Sequence, residues 1–177
     1  FLLGTGLYEN IDELQNENNL TVLYRAPKIQ LQPLNISAIA AKYQNIFKFS
    51  NSEALEMAKL TKGYPFAFQV LGYLTWNANG DYNSILSEYE QYLSEFVYDK
   101  LWSELSMKDR LVAKAIVDTD SKIIKDIRDL LNMSTNEFNP YRQRLIKKGI
   151  VDGGKRGYLY FTLPLFENYI NAHFDID

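Results

Sequence analysis

The chain has 177 residues, 46% apolar, 23% charged and 14% aromatic, with a formal net charge of −3. That is a globular composition, long enough for one ordinary domain or two small ones. Zero cysteines exclude disulfides and thiolate chemistry, and a single histidine, His173, argues against a zinc site or a His-dependent triad.

No apolar run reaches the ~18 residues of a membrane span, so no membrane partner is expected. The absence of cysteine fits a reducing compartment, and a cytoplasmic location is the expectation. Charge is uneven. Residues 134–156 hold six basic side chains against two acidic ones, a modest local excess.

Phe1-Leu2-Leu3-Gly4 reads as the end of a buried strand running into Gly4-Thr5-Gly6, and Leu20-Thr21-Val22-Leu23-Tyr24 as a second strand. Leu7, Ile11 and Leu14 fall at helical spacing between them. Strand–helix–strand is the edge of a parallel sheet, and two strands do not make a stable sheet alone. Residues 1–34 are therefore expected to be the C-terminal edge of an incomplete α/β core, with the remainder upstream of Phe1.

Asn35 caps a predicted helix with Ile36, Ile39, Ala40 and Tyr43 inward, and Ser50-Asn51-Ser52-Glu53 is a capping-box pattern before Leu55, Ala58 and Leu60. Gly63-Tyr64-Pro65 then stops one helix and opens an almost wholly apolar one through Trp76. After the Asn79-Gly80-Asp81 turn, Tyr82, Ile85, Leu86, Tyr89, Leu93, Phe96 and Val97 trace one helical face. Residues 35–99 thus read as a four-helix unit.

In residues 100–177 three helical faces follow: Leu111, Val112, Ala115 and Ile116; Ile123, Ile124, Ile127, Leu130 and Leu131; Phe138, Tyr141, Leu145 and Ile146. The third helix starts either at Ser134, boxed with Glu137, or at Asn139 with Pro140 in the first turn. Gly149 ends it. Ile150-Val151, a glycine-rich basic tip and Tyr158-Leu159-Tyr160-Phe161-Thr162 form a hairpin signature, and Pro164 precedes a last helix. Three helices and a hairpin predict a winged helix-turn-helix. The fold class is mainly α: a small α/β sheet remnant, a four-helix unit and a C-terminal winged helix-turn-helix.

Phosphate-loop chemistry has no carrier here. No Gly-x-x-x-x-Gly-Lys-Ser/Thr occurs, and Gly4-Thr5-Gly6 has Glu9 where a dinucleotide fingerprint needs its third glycine.

The succession of strand, Gly-Thr-Gly, helix and strand, then Tyr24-Arg25-Ala26-Pro27, then helices with Gly63-Tyr64-Pro65 and a winged helix resembles the C-terminal half of prokaryotic AAA+/STAND-type ATPases, archaeal-type or origin-recognition-like. The resemblance implies that Thr5 ends a sensor-1 strand and that residues 35–99 are the lid. It also implies that Gly63, Tyr64 and Pro65 form the Gly-x-Pro turn over a nucleotide, with Arg25 either a sensor cation or a surface arginine. ATP with Mg would bind the full-length protein, whose phosphate loop and acidic strand precede Phe1; this fragment is expected to bind none and to be catalytically inactive alone. The chain departs from the family in having no arginine at the start of the 65–76 helix, where Lys62 is the nearest cation.

On a winged helix, Ser134, Asn136, Arg142, Arg144, Lys147 and Lys148 fall on or near the recognition helix, with Lys155 and Arg156 at the wing tip. Duplex DNA is one expected partner; the other is a protein surface, the ATPase core itself or another partner. A non-enzymatic winged-helix transcriptional regulator or protein-interaction module is the alternative to the ATPase. A hinge is expected near Gln32-Pro33 and Asp99-Lys100.

Overall fold

The computed structural model describes residues 31–174. The expected strand–helix–strand of residues 1–24, with Thr5, and Arg25 beyond it, lie outside the described residues. Among the described residues the fold is mainly α: eight helices and one two-stranded antiparallel hairpin near the C-terminus. No described helix is long and apolar enough to cross a membrane.

Local chemistry sets the helix starts. Helix α1 (Ile36–Phe47) begins where Asn35 Oδ1 accepts the Ala38 N–H at 3.1 Å. Helix α2 (Asn51–Lys59) carries the reciprocal box: Ser50 Oγ accepts the Glu53 N–H, and Glu53 Oε2 accepts the Ser50 N–H at 2.9 Å. Its buried face is Ala54, Met57 and Ala58, so Leu55, expected inward, turns outward. Helix α3 (Pro65–Asn77) has Pro65 in its first turn, where a missing N–H costs no helical bond.

Helix α4 is composite: α-helical over Leu86–Leu93, π-helical over Ser94–Tyr98 and α-helical again over Asp99–Ser103. The π turn corrects the sequence reading. Unbroken 3.6-residue spacing puts Phe96 and Val97 inside after Leu93; the wider turn makes Tyr98 the next fully buried residue and leaves Phe96 64% exposed. The expected hinge at Asp99-Lys100 falls within this continuous helix.

Helix α5 (Met107–Asp118) starts with a second kind of box, Ser106 with Asp109. Helix α6 (Ile124–Leu130) ends at a turn in which Asn132 is left-handed (φ 51°). Helix α7 (Thr135–Lys147) is capped by Ser134, with Glu137 Oε2 accepting the Ser134 N–H at 2.8 Å, so Pro140 lies inside the helix. Of the two starts open in the sequence, this one leaves the Asn136 carbonyl without its helical donor. Gly149 (φ 69°) closes α7: its N–H reaches Ile146 O and that of Ile150 reaches Leu145 O, a complete Schellman closure with Ile150 and Leu145 both buried.

Strands β1 (Val151–Asp152) and β2 (Tyr160–Phe161) pair Val151 with Phe161 and Asp152 with Tyr160. Ile123, just before α6, bridges Tyr158, and Leu159 N–H reaches Lys122 O at 3.0 Å. Helix α8 (Phe166–His173) follows, entered through Leu165 at φ 56°.

One contiguous core runs from Ile39 to Ile170, and α4 is its spine. On the upstream side Tyr89 donates to Leu60 O at 3.1 Å. On the downstream side Tyr98 donates to Pro164 O, Tyr169 donates to Asp99 Oδ1 at 2.7 Å, and Trp102 packs edge-on against Tyr169 and Phe166.

Candidate functional site

The Gly63-Tyr64-Pro65 corner is built on two consecutive left-handed residues, Lys62 (φ 47°) and Gly63 (φ 75°). Buried Thr61 ties it down: its hydroxyl donates to Ala58 O at 2.7 Å and accepts the Gly63 N–H at 3.1 Å. The other side of Gly63 is closed by the incoming chain. Leu34 N–H reaches Gly63 O at 2.8 Å, and a Cβ on Gly63 would stand 2.5 Å from Leu34 O.

Glycine is therefore required twice, for φ and for space. The Cβ side of Gly63 is filled by the Pro33–Leu34 segment. Tyr64 is half-buried, and desolvation raises its pKa. Lys62, the corner's cation, points elsewhere: its ammonium donates to Phe161 O in β2 at 3.2 Å.

Several of the basic residues make contacts within the fold. Arg144 Nε donates to Asp109 Oδ1 at 2.9 Å, and its guanidinium lies 5.2 Å from the Tyr141 ring centre. Asp109, only 2% exposed, also accepts from Ser106 Oγ at 2.5 Å, so one carboxylate both boxes α5 and pins α7 to it. Lys148, at the C-cap of α7, pairs with Glu104 Oε2 at 3.5 Å.

Arg142 is folded beneath the hairpin, where its Nε is buried without a hydrogen-bond partner; a Cβ on Gly153 would stand 2.9 Å from its Nη2. Ser134 is spent on the cap. Asn136 and Lys147 are exposed on α7, as are Lys155 and Arg156 at the hairpin tip. Lys155 Nζ sits 4.1 Å above the Tyr158 ring, which stacks parallel to Tyr160 at 6.0 Å.

An open apolar groove of about 170 Å³ separates α1 from α3, lined by Tyr43, Ile46, Phe68, Gly72, Tyr73 and Trp76 among others. No lining residue carries a formal charge, and the Tyr43 hydroxyl is used internally, donating to Phe68 O at 2.7 Å. Among the described residues no cluster of three or more acidic or histidine side chains could hold a metal ion. His173 is the last residue of α8, stacked on Tyr169 with Nδ1 2.9 Å from Tyr169 O.

Two connections escaped sequence reasoning. Ser106-x-x-Asp109 was readable as a capping pattern, but nothing in the sequence signalled Arg144, 35 positions away, as the partner of Asp109. Nor did anything mark Lys62 as reaching across 99 positions to Phe161.

Residues 95–170 match a family described as a domain of unknown function (DUF8462). The match begins inside the π turn of α4 and ends in α8, so it takes in Tyr98, Trp102 and the hairpin but leaves out the Gly63 corner. Comparisons with curated proteins and with solved structures found no match.

Proposed function

We propose that the chain is the lid and winged-helix part of a STAND-type regulatory ATPase, and that its winged helix is a packing module rather than a base reader. The order α5, Ile123 bridge, α6, Asn132 turn, α7 and β1–β2 supports the winged-helix assignment. Helices α1–α4 are the corresponding lid, with Gly63 holding the chain that enters from upstream. ATP and Mg would belong to that upstream core.

The observation that carries the packing role is the engagement of Arg144 with buried Asp109. That contact, with the guanidinium set over the Tyr141 ring, fixes Arg144 against α5 rather than leaving it free to enter a groove and read guanine. Lys148, paired with Glu104, adds to the same reading. Partner choice would then rest on protein contacts made by the fused lid and winged helix.

The coding sequence upstream of Phe1 tests the ATPase assignment. A glycine-rich loop ending in Lys-Ser/Thr, followed by a strand ending in acidic residues, is expected. A start methionine immediately ahead of Phe1 overturns it in favour of a non-enzymatic regulator. The chain by itself is expected to hydrolyse no ATP, and turnover in a clean preparation would contradict that expectation.

Exposed Lys155 and Arg156 favour a second reading, a duplex backbone contact through the wing. Such binding would be weak and steeply salt-dependent. If Lys155→Ala with Arg156→Ala abolishes low-salt duplex binding, that reading stands; if no binding is seen at low salt, packing alone remains.

A further inference from the structure

We propose that Lys62 couples the α2–α3 corner to the hairpin, so that displacement of the Pro33–Leu34 segment is transmitted to β2. Three adjoining contacts carry this. Leu34 is locked to Gly63 by the 2.8 Å hydrogen bond and by contact too close to admit a Cβ. Gly63 is covalently next to Lys62, and both are left-handed, which fixes the direction in which the Lys62 side chain leaves the corner. The Lys62 ammonium then ends on Phe161 O, the last carbonyl of β2.

What Lys62 holds is one end of a short strap. From Phe161 the chain passes Thr162, whose hydroxyl donates to Ile150 O at 3.1 Å, then Pro164, whose carbonyl accepts from Tyr98, then left-handed Leu165 at the entrance to α8. Residues before α5 therefore grip the strap at Phe161 O and Pro164 O, on either side of the hairpin's exit. A second cation stands nearby with partners of its own. Lys122 donates to Ile116 O at 2.8 Å and pairs with Glu167 at 3.6 Å. Partial burial lowers the Lys62 pKa, while the Glu167 charge opposes that shift and Lys122 adds to it.

Lys62 is a positioning residue in this account: it touches no ligand and acts through the β2 backbone. The lid reading is needed only to say what would move Pro33–Leu34. The measurements below involve no nucleotide, so their failure is separate from failure of the ATPase assignment.

The test is hydrogen–deuterium exchange on the intact 177-residue chain, comparing wild type with Lys62→Asn and Lys62→Arg. Asparagine tolerates the left-handed backbone, so that variant removes the ammonium without straining the corner. Lys62→Asn is expected to speed exchange across Val151–Phe161 about tenfold with α1 unchanged, and Lys62→Arg, which keeps a donor, to stay within about twofold of wild type. Unchanged hairpin exchange in Lys62→Asn overturns the proposal, and so does an equal rise in α1 and the hairpin.

A second arm tests transmission. Gly63→Ala displaces Leu34 and is expected to loosen the hairpin when Lys62 is present but to add nothing in the Lys62→Asn background. Additive effects overturn the proposal. If Gly63→Ala does not fold, the Lys62 pair decides.

Discussion

Asp109 shows how much a single side chain determines here. Its carboxylate takes the Ser106 hydroxyl and the Arg144 guanidinium while 98% of its surface is covered, whereas the Arg144 side chain remains 44% exposed. Arg144→Ala leaves that buried carboxylate short of its cation and is expected to cost about 1–3 kcal/mol in urea denaturation, while leaving any low-salt duplex affinity of the folded protein unchanged.

Glu53 and Glu137 behave differently because they are on the surface. Hydrogen bonds from the serine side chain, then from its backbone N–H, hold both carboxyls below the ordinary value of 4.5. The folded form therefore binds these protons more weakly than the unfolded form. The caps contribute stability above that ordinary value and lose it as pH falls through the lowered one. Glu137→Gln keeps an acceptor that does not titrate, so its stability is expected to fall less steeply on acidification, measured as the slope of the urea midpoint between neutral and acid pH.

Among the elements, α7 retains a defect that can be repaired. Pro140 is exposed and sits inside the helix, where it removes one backbone bond. Pro140→Ala is expected to raise stability by about 1–3 kcal/mol, with the Arg144–Asp109 contact retained; a loss on denaturation would contradict the helix start at Ser134.

Starts and stops at this scale were legible because caps are local chemistry. Asn35, Ser50 with Glu53, Gly63-Tyr64-Pro65 and Gly149 all act within a few positions of where they stand. Faces were less legible. Leu55, Leu111 and Leu130 point outward because periodicity marks a stripe, and which edge of it meets a neighbour is decided by residues far away in sequence. The ion pairs of the candidate DNA residues were illegible for the same reason: the cationic character of Arg144 and Lys148 is visible in the sequence, but the acids that pair with them are on α5 and just after α4.

At the scale of the molecule, the helices before α4 and the helices and hairpin after it share one core, so they are expected to unfold together. Exposed Trp76 near the end of α3 and buried Trp102 near the end of α4, packed on α8, report on different elements of it. Tryptophan fluorescence and far-ultraviolet circular dichroism should then give coincident transitions, and Phe166→Ala, which removes a ring shared by Tyr98, Trp102 and Phe161, is expected to shift both together by about 3–5 kcal/mol.

Alkali should act on the same core. Burial is the leading cause that pushes the phenols of Tyr43, Tyr89, Tyr98 and Tyr169 well above their ordinary value of 10.0. Stability from these protonated rings is complete below that value and is lost as pH rises beyond it, so ultraviolet titration should show a fraction of the tyrosines ionising only as the helices melt.

The π turn has a further consequence. Leu93 and Tyr98 stand five positions apart yet face the same way, which a regular pitch of 3.6 residues forbids. Excising one residue between them would restore that pitch with Leu93 and Tyr98 four positions apart and still on one face, so the chain downstream would keep its orientation about the α4 axis. The Tyr98–Pro164 and Lys62–Phe161 contacts would then survive, whereas excising a residue from the regular α-helical part of α4 would turn everything downstream by about 100° and the two halves would no longer mate.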